Sequence, residues 1–273
     1  YATLGEFMAW IIGWDLILEY AMGAATVGAG WSATFVSLLG LLGIHLPDTL
    51  TGPPLAFCTA GQVAQGAAGC VAPGWHATGT LINLPAVAII LAITAILVIG
   101  IKESAGFNSA IVLIKTGVLV LFVIFGLMYV KPANWHPFIP ANTGVFGEYG
   151  WSGVLRGAGL IFFAYIGFDA VSTAAQEAKN PQRDMPRGIL FSLAICTVLY
   201  CLVSLVLTGL ISYKELNVPS PVIMVVERVP QLAWFRPVIT VGAVLGLGST
   251  ILVMLLGQSR VFYSMSRDGL LGE

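Results

Sequence analysis

The sequence predicts an all-α polytopic membrane protein, and three observations carry that prediction. Hydrophobic residues make up 58% of the 273 and charged residues only 9%, where a soluble domain is about one quarter charged. The apolar residues gather in runs of roughly 20, and at about 1.5 Å rise per residue each run crosses a hydrocarbon core of roughly 30 Å. Barrel strands would be about half as long and alternating, so the runs are helices. Lipid is the solvent of this chain, and the bilayer is its first partner.

Six spans follow in order within a single membrane domain, 1–273: Phe7 to Gly28, Leu81 to Ile101, Phe107 to Val130, Val154 to Thr173, Ile189 to Ile211 and Pro237 to Leu256. Backbone groups in lipid must be bonded within their own segment, which makes a helix of each. Between the first two spans, Trp31 to Leu46 is apolar but short. It reads as an interfacial helix that leads into a long loop, 47–79, with Pro53 and Pro54 near its start. After the third span, Lys131 to Gly153 carries Trp135, Pro137, Pro140 and Trp151, which suits a structured cap in the aromatic belt at a membrane surface.

Lys102, then Lys179, Arg183 and Arg187, then Arg260 and Arg267 follow the second, fourth and sixth spans at high density, so that side is read as cytoplasmic. Lys131, Arg156, Lys214, Arg228 and Arg236 are spread over longer segments on the other side. The 47–79 loop is then extracellular, and Cys58 and Cys70 within it are a candidate disulfide. Cys196 and Cys201 lie inside an apolar helix and read as small packing residues. No cysteine pair has metal spacing, so no metal is expected. The chain begins at Tyr1 with no charged leader before the first apolar run, and it reads as starting partway into its protein.

Composition also excludes functions. Net charge is −1 with no basic tract, so no nucleic-acid partner is expected. His45, His76 and His136 fall at loop or interfacial positions, and no zinc-protease, phosphate-loop or nucleophile-elbow pattern occurs. No catalytic residue and no cofactor are therefore expected, and the chain is not read as an enzyme. A non-transporting membrane subunit or receptor remains an alternative, in which the intramembrane charges would be structural.

Glu19, Lys115 and Asp169 fall within spans, where an ionised side chain costs about 3 kcal/mol or more unless it is paired or hydrated. Asp15 lies one turn before Glu19 on the same face. An ammonium at the depth of Lys115 must either shed its proton or be held by an anion and carbonyl oxygens. A structural ion pair with Glu19 is the plain reading, and a proton gained and lost during a transport cycle is the functional one. Asp169 follows a glycine-interrupted stretch, Gly157 to Phe168. That pattern suggests a broken helix whose free carbonyls and half-helix ends bind a charged solute, the plain alternative being an N-cap carboxylate. In the last span, Gly242 and Gly246 share a face and suit close packing, while Ser249 and Thr250 have hydroxyls able to solvate an ion.

These residues also carry a likeness. The run from Phe162 through Gly167-Phe168-Asp169 to Asn180-Pro181 and Pro186-Arg187-Gly188 resembles the sixth helix and following loop of the cationic amino acid transporter branch of the amino acid, polyamine and organocation superfamily. Gly5 to Tyr20 resembles that family's third helix, and Arg260 to Leu271 its end of helix eight. The resemblance implies part of a bundle of two inverted five-helix repeats with a discontinuous helix, of which this chain supplies helices three to eight. It implies further that carbonyls of Phe163, Ala164 and Ile166 receive the α-amino group of an amino acid substrate, with Asp169 beneath it. Lys115 resembles a helix-five lysine that stands where sodium-driven relatives hold an ion. Proton coupling is then expected, with Ser249 and Thr250 facing Lys115, Glu19 a possible partner, and Met254 lining the side-chain pocket. A small neutral amino acid such as alanine is the expected substrate, with arginine or lysine as the alternative. The missing helices of the same transporter are needed to complete the site.

Overall fold

A computed structural model describes residues 5–58, 72, 74–99, 105–142, 144–162, 165, 167, 180–216, 218 and 220–271. In chain order the elements are α1 (Glu6–Leu41), β1 (Leu55–Cys58), β2 (Gly74–Ala77), α2 (Leu84–Ile99), α3 (Ala105–Leu127), α4 (Gly150–Phe162), α5 (Pro181–Leu210), α6 (Pro221–Arg228) and α7 (Arg236–Arg267). Among the described residues, Glu6–Leu41, Ala110–Leu127, Gln182–Leu210 and Pro230–Arg267 are long and apolar enough to cross a membrane, and Leu84–Ile99 is a shorter apolar helix.

Lipid tails are as apolar as leucine, so these helices are held by close packing and interhelical hydrogen bonds more than by apolar burial. Helix α7 is the hub. It runs antiparallel to α1: Gly13 meets Met265, the Tyr20 ring meets Gly257, Met254 lies over Gly23, and Trp31 lies beside Gly248. Ile17, Tyr20, Ala24, Met254 and Val261 fill that seam. Trp31, Ile93 and Ile251 join α1, α2 and α7. On the other flank, Phe122 of α3, Val206 of α5, Val225 of α6 and Ile239 of α7 share a second core. This core fixes α3 against α7, and with it the position of Lys115.

Two features depart from the sequence reading. The segment from Trp31, expected to be an interfacial helix, continues α1 without a break to Leu41. The polar atoms at the join are satisfied by distant partners: Trp31 Nε1 donates to the Val244 carbonyl at 3.0 Å, and Ser32 Oγ donates to Asn83 Oδ1 at 2.5 Å. With 36 residues, α1 is about 54 Å long, so it tilts or projects beyond the hydrocarbon. The 47–79 loop is not wholly irregular either, because β1 pairs antiparallel with β2, with Leu55 opposite Ala77 and Cys58 opposite Gly74. Cys58 is disulfide-bonded and Cys196 and Cys201 are free; Cys70 lies outside the described residues.

The loop after α3 is ordered by the end of α5. Lys131 N and Asn134 Nδ2 both donate to the Gly209 carbonyl, at 2.9 and 2.8 Å, and Trp135 Nε1 donates to the Leu205 carbonyl at 3.2 Å. The Gly209 carbonyl belongs to the last turn of α5, where carbonyls lack helical partners, and Leu205 lies one turn earlier.

Asn83 does two jobs at once, capping the Ala86 N–H at 3.2 Å while accepting from buried Ser32. Asn83→Ala removes the cap and leaves the Ser32 hydroxyl without its acceptor. A loss of about 2 kcal/mol is expected, read as a lowered thermal midpoint in detergent. An unchanged midpoint would show that neither bond holds α2.

Candidate functional site

Lys115 sits where two helices come unusually close. A Cβ placed on Gly242 would lie 2.9 Å from Val118, and one on Gly246 would lie 3.5 Å from Lys115 Cβ. Both glycines therefore face α3, as their four-residue spacing predicts. Without their side chains, the stem of Lys115 lies flat on α7 and its ammonium reaches the next turn. There Nζ donates to Ser249 Oγ at 3.2 Å. The Ser249 hydroxyl donates in turn to the Gly246 carbonyl at 2.9 Å, and Thr250 Oγ1 donates to the same carbonyl at 3.0 Å. A hydroxyl whose proton is committed to a carbonyl offers only lone pairs to its other neighbour, which suits a cation.

Beside Lys115 lies a cavity of about 580 Å³ walled by α1, α3, α5, α6 and α7. Thr34, Tyr200, Ser220 and Thr250 bring hydroxyls to its lining, and Cys196 brings a thiol. The rest is largely aliphatic, including Leu119, Val222 and Leu247. Such a chamber has room for a small organic solute or for a segment of chain.

The opposite side of the same α7 turn is gripped by Trp31. Its indole N–H shares the Val244 carbonyl, its ring stacks on Phe35 with centroids 4.7 Å apart, and the lack of a side chain at Gly248 gives the indole its space. The turn from Val244 to Ser249 is thus held by Trp31 from one side and Lys115 from the other. Sequence reasoning missed Trp31, Thr34 and Ser220. The available signal is a tryptophan followed by two hydroxyl residues inside an apolar run, in the segment whose short length suggests an interfacial helix.

The other expected site residues divide. Ser249 meets Lys115, and Thr250 borders the same cavity. Met254 does not line that cavity: it lies over Gly23 and is buried in the α1–α7 seam. A helix turns about 40° beyond a full circle every four residues, so the two steps from Gly246 to Met254 swing the side chain about 80° from α3 toward α1. Glu19 is half-buried on α1 beside Tyr20, and Tyr20 packs at Gly257 while Lys115 bonds Ser249. Those two levels are about 12 Å apart along α7, so the ion pair of Glu19 with Lys115 is not formed. Asp15 is exposed. Phe163, Ala164, Ile166 and Asp169 lie outside the described residues. Between them Gly167 has φ +118°, a backbone angle that no right-handed helix contains.

Comparison of the sequence with known proteins finds amino acid permeases and transporters. A family model described as amino acid permease matches residues 1–272. Over 271 residues the chain is 48% identical to the branched-chain amino acid permease BcaP of Bacillus subtilis (strain 168), covering 99% of this chain and 52% of that protein. It is 47% identical to the methylthioribose transporter of the same organism, again over 99% of this chain and 52% of the relative. Cationic amino acid transporter 4, vacuolar, of Arabidopsis thaliana is 34% identical, with 99% and 41% covered. The chain spans about half the length of the curated relatives it matches.

Proposed function

Because the chain belongs to the amino acid permease family, we propose that it forms helices three to eight of a secondary transporter that imports an amino acid with a proton by alternating access. It is a multi-pass integral membrane protein, and the cell membrane is the proposed location. The observation that carries the reading is the Lys115 ammonium held on the Ser249 hydroxyl at 3.2 Å on the wall of a cavity. A cation kept at membrane depth by a neutral partner is costly, and a group that exchanges a proton during each cycle gives that cost a use.

The proposed architecture is six spans of a five-plus-five inverted repeat in which the fourth span is discontinuous. Support comes from Gly167, whose φ of +118° interrupts helical geometry two residues before Asp169. There the carbonyls of Phe163, Ala164 and Ile166 would receive the substrate ammonium, with Asp169 and Met254 close to its side chain. Cys58 and Cys70 would close the outer loop as a disulfide, in keeping with the bonded state of Cys58.

The proposed substrate is a neutral amino acid, small and alanine-like at one end of the range. The aliphatic lining around Lys115 suits it, and a relative named for branched-chain amino acids extends the range upward in size. Cationic amino acids are the second reading, favoured by the relatives named cationic amino acid transporters and by Asp169 as a holder for a second amine. The test is uptake of labelled amino acids by the full-length protein in proteoliposomes under an inward proton gradient. Alanine and valine should accumulate, and a protonophore should abolish the accumulation. Uptake confined to lysine and arginine would reverse the substrate choice, and accumulation indifferent to the gradient would remove the proton.

A further inference from the structure

A second cavity, of about 510 Å³, lies away from Lys115 at the far ends of α3 and α5. Its position relative to the membrane follows from the helices around it. The apolar spans end at Leu127 and Leu210, and the lining begins directly beyond them, with Tyr129 and Lys131 on one side and Ser212 and Glu215 on the other. Trp234, 59% exposed, marks the same level, since its ring meets Phe125 near the end of α3 with centroids 5.2 Å apart, and Phe138 and Trp151 in the loop beyond α3 are exposed too. Such a band of exposed rings sits among lipid headgroups.

The chemistry of the lining is that of an anion site. Lys131 and Arg228 bring two cations, and Tyr129, Ser212 and Gln231 bring further donors. Among the described residues the only carboxylate in the lining is Glu215, which is already bound to Arg228. Lys131 uses its backbone N–H on Gly209, and among the described residues its ammonium has no carboxylate partner. Arg228 satisfies Glu215 with one terminal nitrogen, and a guanidinium keeps further N–H groups for a second oxygen acceptor. Among the described residues the lining therefore carries one uncompensated positive charge, just beyond the ends of the apolar spans.

We propose that this cavity binds the phosphate of an anionic phospholipid headgroup, with Lys131 as the principal contact and Arg228 as the second. A free phosphate ion has the same chemistry, but the exposed aromatic band favours a ligand whose chains continue into the bilayer. The proposal stands apart from the transport reading, since it involves neither Lys115 nor the cavity beside it.

Native mass spectrometry of the delipidated full-length protein, titrated with phosphatidylglycerol, with diacylglycerol and with inorganic phosphate, tests it. Phosphatidylglycerol should bind and diacylglycerol should not. Lys131→Gln should weaken phosphatidylglycerol binding about fivefold, the effect of one basic residue near a charged surface. Glu215→Gln should strengthen it, because the cavity then gains net positive charge, and a merely structural role for the Arg228–Glu215 pair would not produce that gain. Equal binding by the wild type and Lys131→Gln would overturn the site. Competition by inorganic phosphate at matched concentration would overturn the lipid as its ligand.

Discussion

Replacing Lys115 by alanine is expected to lower proton-driven uptake by between about tenfold and a hundredfold, the range set by losing one charge-assisted hydrogen bond of ~1.5–3 kcal/mol. The hydrogen bond from Nζ to Ser249 is one of the contacts that tie α3 to α7 beside the cavity, so its loss also removes a coupling between those helices. A structural role and a proton-carrying role both predict that loss, and arginine separates them. Lys115→Arg keeps the charge and the reach to Ser249, but a guanidinium does not release its proton in a protein. The proton-carrying role leaves the arginine variant as slow as the alanine one in gradient-driven uptake, while both still bind amino acid in a thermal-shift assay. Recovery of accumulation by arginine would reduce Lys115 to a fixed charge and withdraw it from coupling. Ser249→Ala gives a milder defect, because Thr250 and the Gly246 carbonyl remain on the same turn.

What the sequence revealed about this site depended on whether the cause was local. A lysine embedded in Ala110 to Val118 is visible in one dimension, because the cost of a charge in lipid depends on depth, which can be counted along the chain. The facing pair Gly242 and Gly246 was visible too, since a four-residue step preserves a helix face. Met254 falls outside the cavity beside Lys115 because that rule drifts, and after two such steps the side chain lies in the α1–α7 seam. The continuity of α1 was hidden for a different reason. The run from Trp31 is too short to span by itself, and only the partners of Trp31 and Ser32, Val244 on α7 and Asn83 before α2, make it an interior. Glu19 and Lys115 are both unusual in lipid, and pairing them was reasonable from composition. The antiparallel register of α1 on α7 separates them, and no property of either segment alone determines that register.

That register is itself open to attack at one position. Gly257→Val is expected to destabilise the protein by about 3 kcal/mol, near the upper end for overpacking. A Cβ at this position would lie 3.1 and 3.2 Å from carbons of the Tyr20 ring, and Tyr20 is fully buried, packed with Ile17 and Ala24. An aromatic ring enclosed in this way cannot step aside as a flexible chain can, so the helices must separate. Gly13 shows the contrast, since its neighbour is the thioether end of Met265, which has rotamers to spare. Gly40, with nothing within 4 Å among the described residues, is the control, and alanine there should cost nothing and recover some backbone entropy. Because Trp31 meets Val244 about three turns beyond the Tyr20 contact on the same pair of helices, a shift at Gly257 loosens the grip on the turn that presents Ser249. Gly257→Val should therefore lower both the thermal midpoint and gradient-driven uptake, and Gly257→Ala should lower both less. Replacing Tyr20 by leucine in the Gly257→Ala background should recover part of each. A valine variant that melts and transports like the wild type would show that the α1–α7 seam does not set the geometry at Lys115.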